Sequence, residues 1–309
     1  MISLHINGVI PEKFRRNFIR NLKIPALVGM TALLILAQPS LAVITDNEKY
    51  AALVVDLDTG KTLYSAHAEE ERYPASLTKL MTLYLTFDAL KDGRLEPNQM
   101  LRVSRRAASQ PQTNIGLKEG EKISVRDAIS SVTVRSANDA ALVLAENLQD
   151  SEFHFALAMM QAARKIGMKN TDFHNSSGLP DRRQYTTAHD IAILSQAIIH
   201  DFPEYYGYFS RLKYYRHMDK FLTHNHILQC YPGASGMKTG FINDSGFNIV
   251  ATAAGNDRKI LVIIMGGANA LERDRQAAAL LDKYLGKKAK LTPLLPDFTE
   301  ACEKLEKAE

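Results

Sequence analysis

The predicted strands lie in two groups, one near each end of the chain. Residues 51–56 (Ala-Ala-Leu-Val-Val-Asp) and residues 61–65 flank an Asp-Thr-Gly turn, which predicts a β-hairpin. Residues 236–243, 247–254 and 259–265 predict three more strands, with a Gly-Asn-Asp-Arg turn between the last two. Five strands are therefore expected, two early and three late.

Between the two groups of strands, apolar residues recur at helical spacing. A helix is predicted to begin near Ser76, and the pattern stays helical from about residue 101 to residue 200. The other predicted helices cover residues 125–134, 137–148, 153–166, 190–199 and 271–285. This order predicts an α+β domain, in which an antiparallel five-stranded sheet with flanking helices takes strands from both ends of the chain. The middle block is expected to form an inserted all-helical subdomain.

Residues 1–42 have the pattern of a secretory signal peptide. The charged residues of this leader precede its apolar core and comprise Lys13, Arg15, Arg16, Arg20 and Lys23 against Glu12. Residues 24–37 are apolar, and Ser40 and Ala42 supply the small side chains that signal peptidase requires. We therefore expect export to the periplasm or cell envelope. The alternative is an uncleaved anchor, which would be the only membrane contact, but two prolines and a glutamine shorten its apolar span.

The rest of the chain has the composition of an ordinary globular protein. Of its 309 residues, 46% are hydrophobic and 23% are charged, and the net charge of +4 lies entirely in the leader. Because the charges balance after residue 42, nothing indicates a nucleic-acid partner. Cys230 and Cys302 carry no spacing signal, so we expect a buried thiol and a helix-face thiol rather than a disulfide.

The remaining chain divides into one domain and a tail. We assign residues 43–286 to the domain and residues 287–309 to a short C-terminal tail that ends in an acidic amphipathic helix. Anionic lipid would repel the negative charge of that helix. We therefore expect the tail to pack on the protein body or on a partner.

Ser76 and Lys79 form a pair that helical spacing would bring together. They stand three residues apart at the head of an apolar run that ends at Leu90, and positions i and i+3 share a helix face. An amine that is buried in such a helix has a lowered pKa and can accept a proton from a serine hydroxyl. The alternative is a helix-capping serine followed by a surface lysine. The apolar residues after Lys79 favour the buried amine.

Two further motifs follow Ser76 and Lys79 along the chain. Ser136-Ala137-Asn138 stands at the mouth of an alanine-rich helix, and Lys238-Thr239-Gly240 lies in a predicted strand. Taken singly, the first motif could be simple helix capping and the second a solvated edge strand. Each of the three motifs lies on the element that it requires: a helix start, a loop between helices and a strand. This agreement favours a functional site.

The three motifs together resemble the signature of penicillin-binding proteins and class A β-lactamases. Within that superfamily the chain is most similar to the low-molecular-mass D-alanyl-D-alanine carboxypeptidases, the S11 serine peptidases. The similar segments are residues 74–79, 136–140, 167–171, 177–179, 185–190 and 236–248, and the similarity extends over residues 47–285. The resemblance implies a β-lactamase/transpeptidase-like fold and makes residues 43–286 a D,D-peptidase domain.

The resemblance also implies a mechanism. Ser76 would attack the peptide carbonyl between two D-alanines, Lys79 would take its proton, and Ser136 would pass a proton to the leaving amine. The backbone N–H groups of Ser76 and Phe241 would form an oxyanion hole, in which one donor is typically worth about 3–4 kcal/mol. Water would then hydrolyse the acyl-enzyme, and no metal or organic cofactor is expected.

The same family pattern assigns substrate binding to Asn138, Lys238, Thr239, Gly240 and Phe241. Asn138 would hydrogen-bond Lys79 and the substrate backbone, while Lys238 and Thr239 would face the terminal carboxylate. The implied partners are peptidoglycan stem peptides that end in D-Ala-D-Ala, with β-lactam antibiotics as covalent inhibitors. Such an enzyme would serve peptidoglycan synthesis, cell-wall remodelling and cell shape. Many family members add a C-terminal β-domain and a basic anchor helix, neither of which is expected here.

Several alternatives stay open at this point. A D,D-endopeptidase that cuts cross-links would share the motifs. A β-lactamase would need an additional glutamate base that we do not find, and the intact motifs argue against a non-catalytic scaffold. His224 and His226 have the spacing of a ligand pair on a strand, but no third ligand follows, so no metal is expected. Residues 233–237 lack the last glycine of the G-x-S-x-G motif of other serine hydrolases.

Overall fold

The structure is a computed structural model that describes residues 48–286, so the predicted signal peptide and tail lie outside the described residues. The strands are β1 (Ala51–Asp56), β2 (Thr62–Ala66), β3 (Met100–Arg102), β4 (Lys122–Ser124), β5 (Lys213–Arg216), β6 (Asp219–Leu222), β7 (Ala234–Ile242), β8 (Gly246–Gly255) and β9 (Arg258–Gly267). The α-helices are α1 (Lys79–Lys91), α2 (Arg105–Ala108), α3 (Val125–Ser130), α4 (Asn138–Leu148), α5 (Glu152–Ile166), α6 (Ala188–Asp201), α7 (His226–Cys230) and α8 (Ala270–Leu285). Two 3-10 turns (Ala75–Thr78 and Tyr206–Ser210) and a π-helical turn (Ser131–Arg135) complete the elements.

The five-stranded antiparallel sheet predicted from the sequence is confirmed. Its strand order is β2-β1-β9-β8-β7, and every neighbouring pair is antiparallel. β1 pairs with β9 along its whole length, from Ala51 opposite Met265 to Asp56 opposite Ile260. The early and late strands therefore meet at the centre of one sheet, as the α+β prediction requires.

Alternation along the central strands divides the core into two layers. In β1, Ala51, Leu53 and Val55 pack with the helices of the middle block. Ala52 and Val54, on the other face, pack with α8. Because both faces are covered, the central strands read as continuous apolar runs rather than as alternating ones.

Helix α1 occupies the middle of the helical layer. It contacts α4, α5 and α6, and it buries residues on all of its sides, including Leu80, Met81, Leu83 and Phe87. Lys79 is the first residue of this helix and is 0% exposed. The buried lysine predicted from the apolar run is therefore confirmed.

Two short antiparallel pairs, β3–β4 and β5–β6, add to the predicted elements. The first pair lies within the block that the sequence pattern indicates as helical. Its strands are three residues long, which is too short for a two-residue alternation to be distinguished from helical spacing. Within residues 48–286 no helix has both the length and the apolar character needed to cross a bilayer.

The segment around His224 also differs from expectation. Asn225 Oδ1 accepts the backbone N–H of Leu228 at 3.1 Å and caps α7, in which His226 is the first residue. His224 and His226 therefore do not lie on a strand, although their alternating spacing is typical of one. Cys230 is disulfide-bonded, so the expected free thiol is wrong. An isolated cysteine gives no spacing from which a pairing could be predicted, and Cys302 lies outside the described residues.

Candidate active site

The turn that carries Ser76 is fixed to the sheet by one buried asparagine. Asn248, in β8, donates from Nδ2 to the carbonyls of Tyr73 at 3.1 Å and Pro74 at 3.3 Å. Its Oδ1 accepts the N–H of Gly266 at 2.9 Å. The hydroxyl of Ser76 does not cap the helix that follows, so the helix-capping alternative is wrong. The turn is held from the sheet side, and the serine hydroxyl remains available.

Lys79 lies at the centre of a hydrogen-bond network. Its Nζ donates to Ser76 Oγ at 3.0 Å, to Asn138 Oδ1 at 2.8 Å and to the carbonyl of Ser177 at 2.5 Å. The amine and the serine hydroxyl are therefore in contact, as their spacing predicts. Three donated bonds use the three hydrogens of the charged amine; a neutral amine would keep the bonds to Asn138 and Ser177 and accept a hydrogen bond from the hydroxyl of Ser76 with its lone pair.

The protonation of the two lysines follows from their burial. Burial lowers the pKa of Lys79 well below its ordinary 10.5, and the nearby charge of Lys238 lowers it further, against the opposing effect of Asp139. Burial also lowers the pKa of Lys238, to about 7, and the charge of Arg273 contributes to this. An amine whose pKa is lowered in this way can be neutral near pH 7 and can then accept a proton from a hydroxyl.

The carbonyl that accepts from the lysine belongs to a tightly held loop. The N–H and the hydroxyl of Ser176 both donate to the buried Glu152 Oε1, at 3.0 and 2.7 Å, and Thr82 donates to the Ser176 carbonyl at 2.6 Å. Gly178 follows with a φ of +82°, and a Cβ there would lie 1.8 Å from the carbonyl oxygen of Ala75. Glycine is therefore needed for this loop to pack directly against the turn that carries the serine hydroxyl.

A break between two helices presents Ser136 and Asn138. The π-helical turn ends at Arg135, the next residue Ser136 has the left-handed conformation (φ 61°), and α4 begins at Asn138 without a side-chain cap. Asn138 Nδ2 donates to the Pro111 carbonyl at 2.9 Å, which orients Oδ1 toward Lys79. Ser136 Oγ is buried and has no hydrogen-bond partner in the described part of the chain. The helix-capping alternative for this motif is wrong, and the unpartnered hydroxyl can serve a ligand.

Strand β7 forms the facing wall. Although β7 is an edge strand, Lys238 is only 3% exposed and Thr239 is also buried, so the solvated-edge alternative is wrong. Lys238 Nζ donates to the Thr239 carbonyl at 2.8 Å. A Cβ at Gly240 would lie 3.0 Å from the backbone nitrogen of Ser76, so glycine permits the strand to approach that turn. Phe241, the next residue, is 49% exposed.

These elements surround a cleft of about 480 Å³. The predicted residues that line the cleft are Ser76, Ser136, Thr239, Gly240 and Phe241, whereas Lys79, Asn138 and Lys238 are buried behind its surface. The lining also contains residues to which the sequence assigned no role in binding: Gln112, Thr113, Thr223, His224, His226, Phe247, Ala270 and Arg273. The spacing of His224 and His226 is noticeable in the sequence, but it indicates only a possible metal-ligand pattern and not a part of a substrate cleft. Arg273 gave no signal, because a helix pattern does not distinguish a cleft arginine from a surface one.

The cleft brings together chemically complementary groups from distant parts of the chain. One wall supplies a hydroxyl in contact with a buried amine, and the loop beside it supplies a second, unpartnered hydroxyl. The other wall supplies two basic side chains, with Arg273 in the lining and Lys238 buried behind it. Acyl transfer through a serine ester requires a nucleophile, a base, a proton relay and an anion-binding end, and the cleft contains groups of each kind.

The sequence matches a known family over most of its length. Residues 38–269 match the family model of peptidase S11, described as D-alanyl-D-alanine carboxypeptidase. The D-alanyl-D-alanine carboxypeptidase DacF of Bacillus subtilis (strain 168) is 30% identical over 240 residues, which are 76% of this chain and 62% of DacF. DacD of Escherichia coli (strain K12) is 34% identical over 244 residues, which are 74% of this chain and 61% of DacD. The chain therefore spans less than two thirds of the length of these relatives.

Solved structures show the same fold. Penicillin binding protein 6B from Escherichia coli superposes with a TM-score of 0.72 and 32% identity, over 77% of this chain and 77% of that one. Penicillin-Binding Protein D2 from Listeria monocytogenes, in its cefotaxime-bound form, gives a TM-score of 0.69 and 29% identity over 75% of this chain and 95% of that one. The transpeptidase-like fold predicted from the motifs is therefore confirmed. The chain belongs to peptidase family S11, the low-molecular-mass penicillin-binding proteins that include the D-alanyl-D-alanine carboxypeptidases.

Proposed function

We propose that this protein is a serine-type D-alanyl-D-alanine carboxypeptidase that removes the terminal D-alanine from peptidoglycan stem peptides. The observation that carries the proposal is the 3.0 Å contact between Ser76 Oγ and the amine of the fully buried Lys79. The family match and the names of the curated relatives support the same activity. The solved relative with bound cefotaxime supports β-lactams as ligands of this chain, and we propose that they acylate Ser76.

In the first half-reaction Ser76 Oγ attacks the carbonyl carbon of the penultimate D-alanine. Its proton passes to the neutral amine of Lys79, whose lowered pKa supplies the lone pair. The C–N bond then breaks, and the proton on Lys79 passes through the unpartnered hydroxyl of Ser136 to the leaving amine, which leaves Lys79 neutral again. D-alanine departs, and the remaining peptide is held as an ester on Ser76.

In the second half-reaction water attacks the ester carbonyl. The water gives one proton to the amine of Lys79, and its oxygen with the second proton becomes part of the new carboxylic acid of the peptide, which then ionises into solvent. The ester C–O bond breaks, and Ser76 Oγ recovers a proton from Lys79. The enzyme returns to its initial state, and the reaction consumes one water for each D-alanine released.

Binding follows from the two walls of the cleft. Lys238 and Thr239 lie where the terminal carboxylate would bind, and a bound carboxylate would favour the charged form of the lysine. Asn138 is placed to orient Lys79 and to hydrogen-bond the substrate backbone. We assign the oxyanion hole to the N–H groups of Ser76 and Phe241, because the short approach at Gly240 brings β7 against the Ser76 turn.

A peptidoglycan substrate places the working enzyme in the cell envelope. The signal-peptide pattern of residues 1–42 supports export to that compartment, and we propose a periplasmic location. Fractionation of cells that produce a tagged chain tests this, since retention of the full-length protein in the cytosol would contradict it.

The activity is tested with a pentapeptide that ends in D-Ala-D-Ala and with fluorescent penicillin. The wild-type protein should release free D-alanine and become covalently labelled, and Ser76→Ala should do neither. Labelling of Ser76→Ala to the wild-type level would remove Ser76 as the nucleophile.

The same assays separate the alternatives. Cleavage of a cross-linked peptide dimer without release of D-alanine from the pentapeptide would assign a D,D-endopeptidase instead. Loss of the penicillin label within seconds, with many turnovers, would assign a β-lactamase.

A further inference from the structure

One contact links the two walls of the cleft. Arg135 is the last residue of the π-helical turn and immediately precedes Ser136. His224 lines the cleft on the opposite side, just before the residue that caps α7. Arg135 Nη1 and His224 Nε2 are 2.9 Å apart, which is a hydrogen-bond distance.

The chemistry of this contact fixes the form of the histidine. A guanidinium group has only donors, so His224 Nε2 must accept with its lone pair. In a neutral imidazole the hydrogen then lies on Nδ1. Within residues 48–286 the His224 ring has no other hydrogen bond than the one to Arg135, so the Nδ1 donor is left for a molecule in the cleft.

Basic side chains face His224 from each neighbouring element: Arg135 from the π-helical turn, Lys238 from β7, Arg273 from α8, and His226 from α7. Burial and these charges lower the pKa of His224 to about 4, so the ring is neutral near pH 7. The carboxylate nearby, Asp274, pairs with Arg273 and hydrogen-bonds His226 at 3.1 Å. The histidine is thus an uncharged donor at the cationic end of the cleft.

We propose that His224 is a specificity-determining residue that donates from Nδ1 to the substrate carboxylate, and that Arg135 is the positioning residue that holds the ring in this tautomer. The inference rests on the proposed function, because it names a group that contacts that substrate. A neutral donor fits this place, since a further cation would be repelled by the guanidinium groups of Arg135 and Arg273. The carboxylate is the substrate group that those cations attract.

The first test compares His224→Leu with His224→Gln in the hydrolysis of diacetyl-L-lysyl-D-alanyl-D-alanine. Leucine keeps the approximate volume but has neither acceptor nor donor, so KM should rise about tenfold, or about 1.4 kcal/mol, with kcat changed less than threefold. Glutamine is neutral and can accept from Arg135 while it donates into the cleft, so its KM should stay within threefold of wild type. An unchanged KM in His224→Leu, or an equal loss in both variants, would overturn the inference.

The second test examines Arg135 through a double-mutant cycle. If Arg135 acts through His224, then Arg135→Leu raises KM in the wild-type background and adds nothing in the His224→Leu background. Fully additive effects on KM would show that Arg135 does not position the histidine. The melting temperature of each variant is measured alongside, so that a loss of folding is not taken for a loss of binding.

The third test does not depend on catalysis. Nitrogen-15 NMR of histidine-labelled protein reports which ring nitrogen carries the hydrogen, and the His224→Gln spectrum assigns the signal. A protonated Nδ1 and an unprotonated Nε2 at pH 7 support the inference, and the opposite tautomer overturns it. If the wild-type protein released no D-alanine, the proposed function would fail while this measurement still decided the Arg135–His224 contact.

Discussion

Replacing Lys238 by methionine should stabilise the protein near neutral pH while it impairs substrate binding. Lys238 is 3% exposed, and burial together with the charge of Arg273 lowers its pKa from 10.5 to about 7. Below pH 7 the lysine is charged in both the folded and the unfolded chain, so the folded state bears the full cost of a buried ammonium. Methionine has a similar shape and no charge to bury.

The size of the effect follows from the two pKa values. Between pH 7 and 10.5 only the unfolded chain holds the proton, so the free energy of unfolding rises with pH, by about 1.4 kcal/mol per unit. From pH 7 to 10.5 the free energy of unfolding of the wild-type protein rises by about 5 kcal/mol in total, and roughly 2 kcal/mol of this rise falls between pH 7 and 9. The contribution is absent in Lys238→Met, whose advantage over wild type should be largest at pH 6 and should shrink as pH rises.

Urea denaturation at pH 6, 7, 8 and 9 measures this difference directly. The matched control is Lys220→Met, because Lys220 is an exposed lysine on β6 whose charge is not buried in the folded protein. If the unfolding free energies of wild type and Lys238→Met stayed parallel across the pH range, the lysine would not be titrating between pH 7 and 10.5. A Lys238→Met protein that was less stable than wild type at pH 6 would refute the reasoning outright.

Three further outcomes are expected. Gly240→Ala should slow acylation by penicillin tenfold or more, because the new Cβ would lie 3.0 Å from the backbone nitrogen of Ser76. Asn248→Ala should lower the free energy of unfolding by about 2–3 kcal/mol, measured in urea, because two carbonyls and one N–H lose a buried partner. The acylation rate should rise with pH and level off below the ordinary lysine range, because burial lowers the pKa of Lys79.

Each outcome has its own control. Gly207→Ala adds a Cβ with no atom within 4 Å, so acylation should be unaffected, and equal losses in the two glycine variants would contradict the packing reason. Asn98 is exposed, and Asn98→Ala should leave stability nearly unchanged. An acylation rate that kept rising to pH 10 would assign an ordinary pKa to the base.

Much of the fold could be predicted, because its central elements are long and buried. The run at residues 51–56 has the bounds of β1, and residues 271–285 fall within α8. The contact between Ser76 and Lys79 was also predictable, since residues three apart meet in a 3-10 turn as well as in an α-helix. Local sequence fixes such contacts without any knowledge of the tertiary structure.

The remaining parts of the site depend on packing between distant segments. The left-handed conformation of Ser136 arises where a π-helical turn meets α4, and no residue type there requires it. Arg273 enters the cleft because α8 packs on the far face of the sheet with its first turn near β8. The role inferred for His224 depends on Arg135, which is 89 residues away in the chain. Such relations are set by tertiary geometry and leave no periodic signal.

The pairing of β1 with β9 has a consequence for the order in which the protein is made. These two central strands are joined at one end by an ion pair between Asp56 and Arg258, which are 202 residues apart. When a growing chain already contains Ser76 and Ser136, β9 has not yet been synthesised. In the hairpin of β1 and β2, β1 therefore has no strand to pair with on its other side. The long loop must close before the sheet forms, and folding of this kind is slow. The cleft therefore comes into existence only when synthesis of the domain is nearly finished, and an unfinished chain has no serine site with which to react.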